Sequence, residues 1–88
     1  MEFRWNGWNL EHVSKHGVDW DEAERVVENA VAPYPERRED DKWRVVGQER
    51  GGRFIQVVYL VDEDDTVYII HARPLTEAEK RRYRRRLR

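Results

Sequence analysis

TVYIIHARPLTEAEKRRYRRRLR, Thr66 to Arg88, decides the fold, because an apolar strand here ends in a His, an Arg and a Pro and becomes an arginine-crowded helix. Val67 to Ile70 is an unbroken run of β-branched and aromatic residues, the composition that packs on a pleated sheet. Pro74 cannot donate a ladder hydrogen bond, so the strand is expected to stop near Arg73. Thr76 with Glu79 three positions on is a capping box that opens a helix. His71 and Arg73 are thereby held beside a helix entrance, the one place in the chain that looks like chemistry.

Two more strands precede this one. Lys42 to Glu49, Arg53 to Val61 and Thr66 to Arg73 are joined by the Gly51-Gly52 turn and the acidic turn Asp62 to Asp65, which predicts an antiparallel meander. Pairing Arg50 with Arg53 and Val61 with Thr66 assigns faces by period-two alternation. Val46, Ile55, Val57, Tyr59, Tyr68, Ile70 and Ala72 then form the core face. On the other face Gly47, Glu49, Gln56, His71 and Arg73 converge at one end, beyond Trp43, Val45, Val58, Leu60, Val67 and Ile69. A one-residue bulge in either hairpin would exchange the sides and bring Arg53 to the face of Arg73.

Toward the N-terminus, Glu2 to Trp5 reads as a brief first strand and Asn6-Gly7 as a turn. Asn9 is placed to cap a two-turn helix through Leu10, Val13 and Lys15, which Gly17 ends in a left-handed conformation. Asp19 and Glu22 form the capping box of a second helix, with Val18 and Ala23 in the staple positions. Trp20, Ala23, Val26, Val27 and Ala30 give that helix one apolar face. Pro33 and Pro35 stop it, and Glu36 to Asp41 reads as an exposed loop without a fold of its own. The expected class is α+β: a short N-terminal strand plus the meander, two N-terminal helices and a basic C-terminal helix.

Eighty-eight residues are expected to make one domain over residues 1–88, hiding roughly 60–65% of the unfolded chain's surface. There is no cysteine, so disulfides and thiolate metal sites are excluded. No apolar run approaches a membrane span, and the chain reads as soluble and cytoplasmic. Its net charge of −1 hides a division: Met1 to Ala72 carries 9 Lys/Arg against 16 Asp/Glu, a net −7, and Arg73 to Arg88 carries 8 against 2, a net +6. Arg81 to Arg86 places arginines on every side of its helix, which points to a polyanion or an acidic protein surface as partner. His12 and His16 lie four apart but find no third ligand nearby, so no metal and no other cofactor is expected.

Three segments together resemble a known family. WNLEHVSKHGVDWDEAERVVEN (Trp8 to Asn29), GRFIQVVYLV (Gly52 to Val61) and VYIIHARPLTEAEKRRY (Val67 to Tyr83) resemble the BrnT-type toxins. The Lys15-His16-Gly17-Val18 box followed by Glu22-Ala23, and the Ala72-Arg73 pair followed by Glu79 and Tyr83, carry the likeness. The resemblance implies a RelE-like fold and a metal-independent ribonuclease. It also implies a cognate BrnA-like ribbon-helix-helix antitoxin, with a toxin dimer within the antitoxin complex as one arrangement. By motif, the family's Ala-Arg arginine falls on Arg73, its Gly-Arg arginine on Arg53 and its C-terminal helix tyrosine on Tyr83. The chain departs from the family pattern at His71, where Ser or Thr is usual, and at Asn6-Gly7.

Cleaving RNA without a metal needs a base for the 2′-hydroxyl proton, cations for charge gathering on phosphorus oxygens and an acid for the departing 5′-oxygen. Arg73 is expected to hold the scissile phosphate and His71 or Tyr83 to handle a proton. Arg53, Arg81, Arg82 and Gln56 are expected to bind the substrate. The competing reading is a non-catalytic module whose basic helix binds a protein or nucleic acid. Tyr83 can instead pack with Leu87 against the sheet. Like-charged i, i+4 pairs such as Arg81 with Arg85 oppose the helix and predict fraying beyond Tyr83.

Overall fold

In the computed structural model, which describes residues 1–86, the chain runs through two helices, four strands and a closing helix. These are α1 (Gly7–Lys15), α2 (Trp20–Glu28), β1 (Glu36–Arg37), β2 (Trp43–Gln48), β3 (Phe54–Val61), β4 (Val67–Pro74) and α3 (Glu77–Arg86). The strands form one antiparallel sheet in the order β1-β2-β3-β4. The expected α+β class and the meander stand. The fourth strand, however, is Glu36–Arg37, taken from the sequence as loop. The N-terminal segment adds only one parallel bridge, Phe3 to Val67.

Both hairpins close on three-residue loops, where the sequence suggests two and four. Glu49 N–H donates to Arg53 O at 2.9 Å, and Gly52 takes φ +100°, a conformation that suits glycine. Asp62 N–H donates to Thr66 O at 2.8 Å around Asp65 at φ +68°. Each one-residue slip moves a strand's side chains to the opposite face relative to β3. Val45, Val67 and Ile69 therefore join Ile55, Val57 and Tyr59 on the core face in place of the expected Tyr68 and Ile70, and Val46, buried as expected, stands on the opposite face beside Gln56. A bulge in β4 pairs Tyr59 with Ile69 but Val58 with His71, and Ile70 is the extra residue. It returns Ala72 to the core and leaves His71 and Arg73 on the outer face with Gln56.

The core face is covered by α1 over β4 and α2 over β2 and β3. Ala23, Val26 and Val27 of α2 are buried, and a Cβ at Gly47 would lie 3.2 Å from Val26, so helix and strand approach closely there. Trp20 departs from the expected stripe at 52% exposure. Asp19 is the N-cap of α2 without a side-chain bond, and the Glu22 carboxylate turns away to accept from Arg50 at 2.8 Å, so the expected capping box does not form. At α1 the cap is Asn6, one turn earlier than expected, and Asn9 is its N3 partner in a reciprocal box. Asn9 is fully buried and also donates to Arg4 O and Ile69 O at 3.1 and 2.9 Å.

The Thr76–Glu79 box forms as expected, with bonds of 2.9 and 3.2 Å. From it α3 runs about 15 Å, at about 1.5 Å per residue, close to the width of a four-stranded sheet. Arg73 pairs with Glu79 at its start and Arg86 with Glu36 of β1 at its end. Helical geometry continues to Arg86. Leu87, the expected packing partner of Tyr83, lies outside the described residues.

Candidate functional site

On the outer face, strand register lines up polar side chains across the sheet. Glu36, Arg44, Val58 and His71 are successive cross-strand neighbours from β1 to β4, and Gln56 sits opposite Arg73 in the next row. With α3 along one side, these rows floor a cleft of 1210 Å³. Seven cations line it, Arg37, Arg38, Lys42, Arg44, Arg73, Arg82 and Arg86, against Glu36, Glu39 and Glu79. The excess positive charge suits a polyanion.

Arg73 is anchored end-on. Its Nη1 and Nη2 donate to the two oxygens of Glu79, both at 2.7 Å, and Nη1 also donates to Pro74 O at 3.1 Å. This bidentate pair holds the Glu79 carboxyl at a pKa of about 2 and raises that of Arg73. The Nε–H and the second Nη2 hydrogen have no partner among the described residues. That edge of the fork fits two oxygens of a phosphate.

His71 is half-buried, with its ring 5.3 Å from that of His16 at the end of α1. Burial, then the nearby His16, Arg73 and His12, push its pKa below the ordinary 6.5, so the imidazole is neutral at pH 7. Tyr83 packs against Phe54 and Tyr34, with centroids at 5.4 and 6.1 Å. Burial and Tyr34 raise its pKa, which keeps the phenol protonated. Gln56 Oε1 accepts from Arg44 Nε at 2.9 Å, and Arg82 lines the cleft from α3.

The structure thus brings together His71, Arg73, Tyr83, Gln56 and Arg82. It does not bring Arg53 to them. Arg53 stands on the core-side face, bonded to Glu49 at 2.6 and 3.1 Å and to Gly17 O at 2.8 Å, where it ties the first hairpin to the turn after α1. Arg81 is exposed on α3 and does not line the cleft.

Sequence reasoning missed Glu36, Arg38, Arg44 and Arg86 as one cluster. Arg44 carried a signal, since it is a charge inside the apolar run Trp43 to Val46. Glu36 and Arg38 carried none, because a two-residue strand after two prolines has no periodicity to read. His12 Nδ1 lies 2.8 Å from Trp8 O and its ring stacks on Trp8 at 3.8 Å. Among the described residues no group of three or more His, Cys, Asp or Glu is placed to hold a metal ion, and no helix is long and apolar enough to cross a membrane.

A family model described as "Ribonuclease toxin, BrnT, of type II toxin-antitoxin system" matches residues 5–79. The fold is similar to the crystal structure of the Brucella abortus ribonuclease toxin BrnT. The TM-score is 0.68 at 18% identity, over 88% of this chain and 99% of that one. No curated protein sequence matches the chain.

Proposed function

Because the chain belongs to the family of BrnT ribonuclease toxins of type II toxin–antitoxin systems, we propose that it cuts RNA, without a metal ion, in the cleft between the sheet and α3. The observation that carries this reading is the pairing of a neutral imidazole with an anchored guanidinium on the floor of a cationic cleft. His71 takes the proton of the 2′-hydroxyl. The 2′-oxygen attacks phosphorus, the bond to the 5′-oxygen breaks, and a 2′,3′-cyclic phosphate and a 5′-hydroxyl result. Arg73 receives the charge that builds on the phosphorus oxygens through its open edge, and Arg82 adds to the field. The departing 5′-oxygen takes a proton from the Tyr83 phenol or from the His71 imidazolium. Gln56 contacts the backbone. Arg53 has no part in this reaction, and Arg81 faces away from it.

Membership of the family implies an antitoxin partner. We assign that role to a BrnA-like ribbon-helix-helix protein, with a toxin dimer within the complex and the cytoplasm as the compartment. The test is incubation of purified protein with labelled RNA in excess chelator. Cleavage to cyclic-phosphate ends that the antitoxin suppresses is expected. Intact RNA together with tight antitoxin binding would make the chain a non-catalytic module instead.

A further inference from the structure

Glu36 is surrounded by more positive charge than it can balance. Its Oε1 accepts from Arg38 Nη1 at 3.3 Å and Arg44 Nη1 at 3.0 Å, and its Oε2 from Arg86 Nη2 at 2.7 Å. One carboxylate facing three guanidiniums leaves a net +2. Burial opposes the charge on Glu36, and the three guanidiniums outweigh it, holding the carboxyl below the usual range. A scaffold ion pair needs one arginine. Three of them, drawn from β2, from α3 and from the turn after β1, converge as they would on the oxygens of a phosphate. Two of the side chains remain reachable, Arg38 at 55% and Arg86 at 42% exposure, while Arg44 at 17% is mostly covered.

The cluster shares the cleft with Arg73: Arg44 on β2 lies two strands from it, about 10 Å at the usual strand spacing, and Glu36 on β1 lies three. Gln56 bridges the interval, since it bonds Arg44 and sits opposite Arg73.

Resting on the reading that the cleft cuts RNA, we propose that Arg38, Arg44 and Arg86 form a second phosphate seat. Glu36 occupies it in the free protein and leaves when an RNA backbone phosphate arrives. The scissile phosphate then lies at Arg73 and a neighbouring phosphate of the same strand at the seat, which fixes the direction in which RNA crosses the sheet. The carboxylate keeps the arginines gathered and excludes weaker anions until RNA binds.

Fluorescence anisotropy with a labelled, non-cleavable 2′-O-methyl single-stranded RNA tests this over a range of salt concentrations. The double variant Arg38→Ala/Arg86→Ala is expected to bind roughly tenfold more weakly, and to lower the slope of log affinity against log salt by about 1.4 for two lost contacts. Glu36→Gln, which keeps the shape and removes the charge, is expected to bind several-fold more tightly. An unchanged slope in the double variant overturns the seat, including the case in which that variant loses only antitoxin affinity. Weaker binding by Glu36→Gln overturns the stand-in role. In either case RNA cleavage by the wild-type protein leaves the parent reading intact, whereas absence of RNA binding by the wild-type protein removes both.

Discussion

His71→Ala is expected to slow RNA cleavage at pH 7 by about 10²–10⁴-fold, the usual worth of a positioned general base, while the melting temperature stays close to that of the wild type. The side chain makes no hydrogen bond among the described residues, so its removal orphans no partner. The wild-type pH profile carries the same signature. Because burial and neighbouring cations lower the His71 pKa, the acid limb of kcat/KM falls below the ordinary 6.5, and it disappears in the variant. Stability follows with a definite sign. Below pH 6.5 the unfolded chain takes up a proton at this position before the folded one does, so folding loses free energy as pH drops through that range. His71→Ala flattens this dependence. Arg73→Ala also removes cleavage, but it abandons Glu79 in a setting where the two side chains are only 30% and 15% exposed. That costs about 1–3 kcal/mol, or at least about 4 °C in a domain of this size. His71 therefore separates chemistry from folding, and a wild-type rate in His71→Ala, read from initial rates on labelled RNA, would move the reaction elsewhere.

Asn9→Ala is expected to cost about 3–5 kcal/mol, since it leaves the buried Ile69 O unpaired at about 1–3 kcal/mol and removes two part-buried hydrogen bonds, to Arg4 O and from the Asn6 N–H, at about 0.5–1.5 kcal/mol each. In thermal denaturation this is a fall of more than about 10 °C. Asn9 is fully buried and joins three places: the Asn6 N–H at the helix start, Arg4 O in the N-terminal segment and Ile69 O on the open edge of β4. That carbonyl faces away from β3, where an edge strand is otherwise left exposed. One amide thus seats α1 and shields the strand that carries His71 and Arg73. Asn9→Asp is expected to be at least as damaging, because it replaces the donor with a buried charge. A shift of only a few degrees in Asn9→Ala would show that the amide is incidental.

Local chemistry was legible where one signal had no rival. Thr76 and Glu79 open α3 as their spacing requires, and the Gly51-Gly52 turn sits between two strands. Signals failed where two side chains competed for one role. Asn6 and Asn9 are both good caps, and the box they form together reverses the expected assignment. Glu22 fits a capping box with Asp19 but bonds Arg50, which is far away in the chain. Register was beyond local reading, because the glycine pair alone does not say whether Arg50 is strand or loop. The site survived that error because the Ile70 bulge compensates the slip at Arg73, Gln56 and His71. Arg53 falls on the core side in the expected register as in the structure, and its motif likeness says nothing of its face. The C-terminal arginines were read as a block. The structure sorts them into Arg82 and Arg86 on the cleft and Arg81 away from it.

The most direct measurement is amide chemical-shift mapping of the isotope-labelled protein as a non-cleavable 2′-O-methyl RNA is added. The cleft account predicts that Gln56, His71, Arg73 and Arg82 shift while Arg53 and Arg81 stay in place. Shifts centred on Arg53 and Gly17, with His71 and Arg73 unmoved, would contradict it.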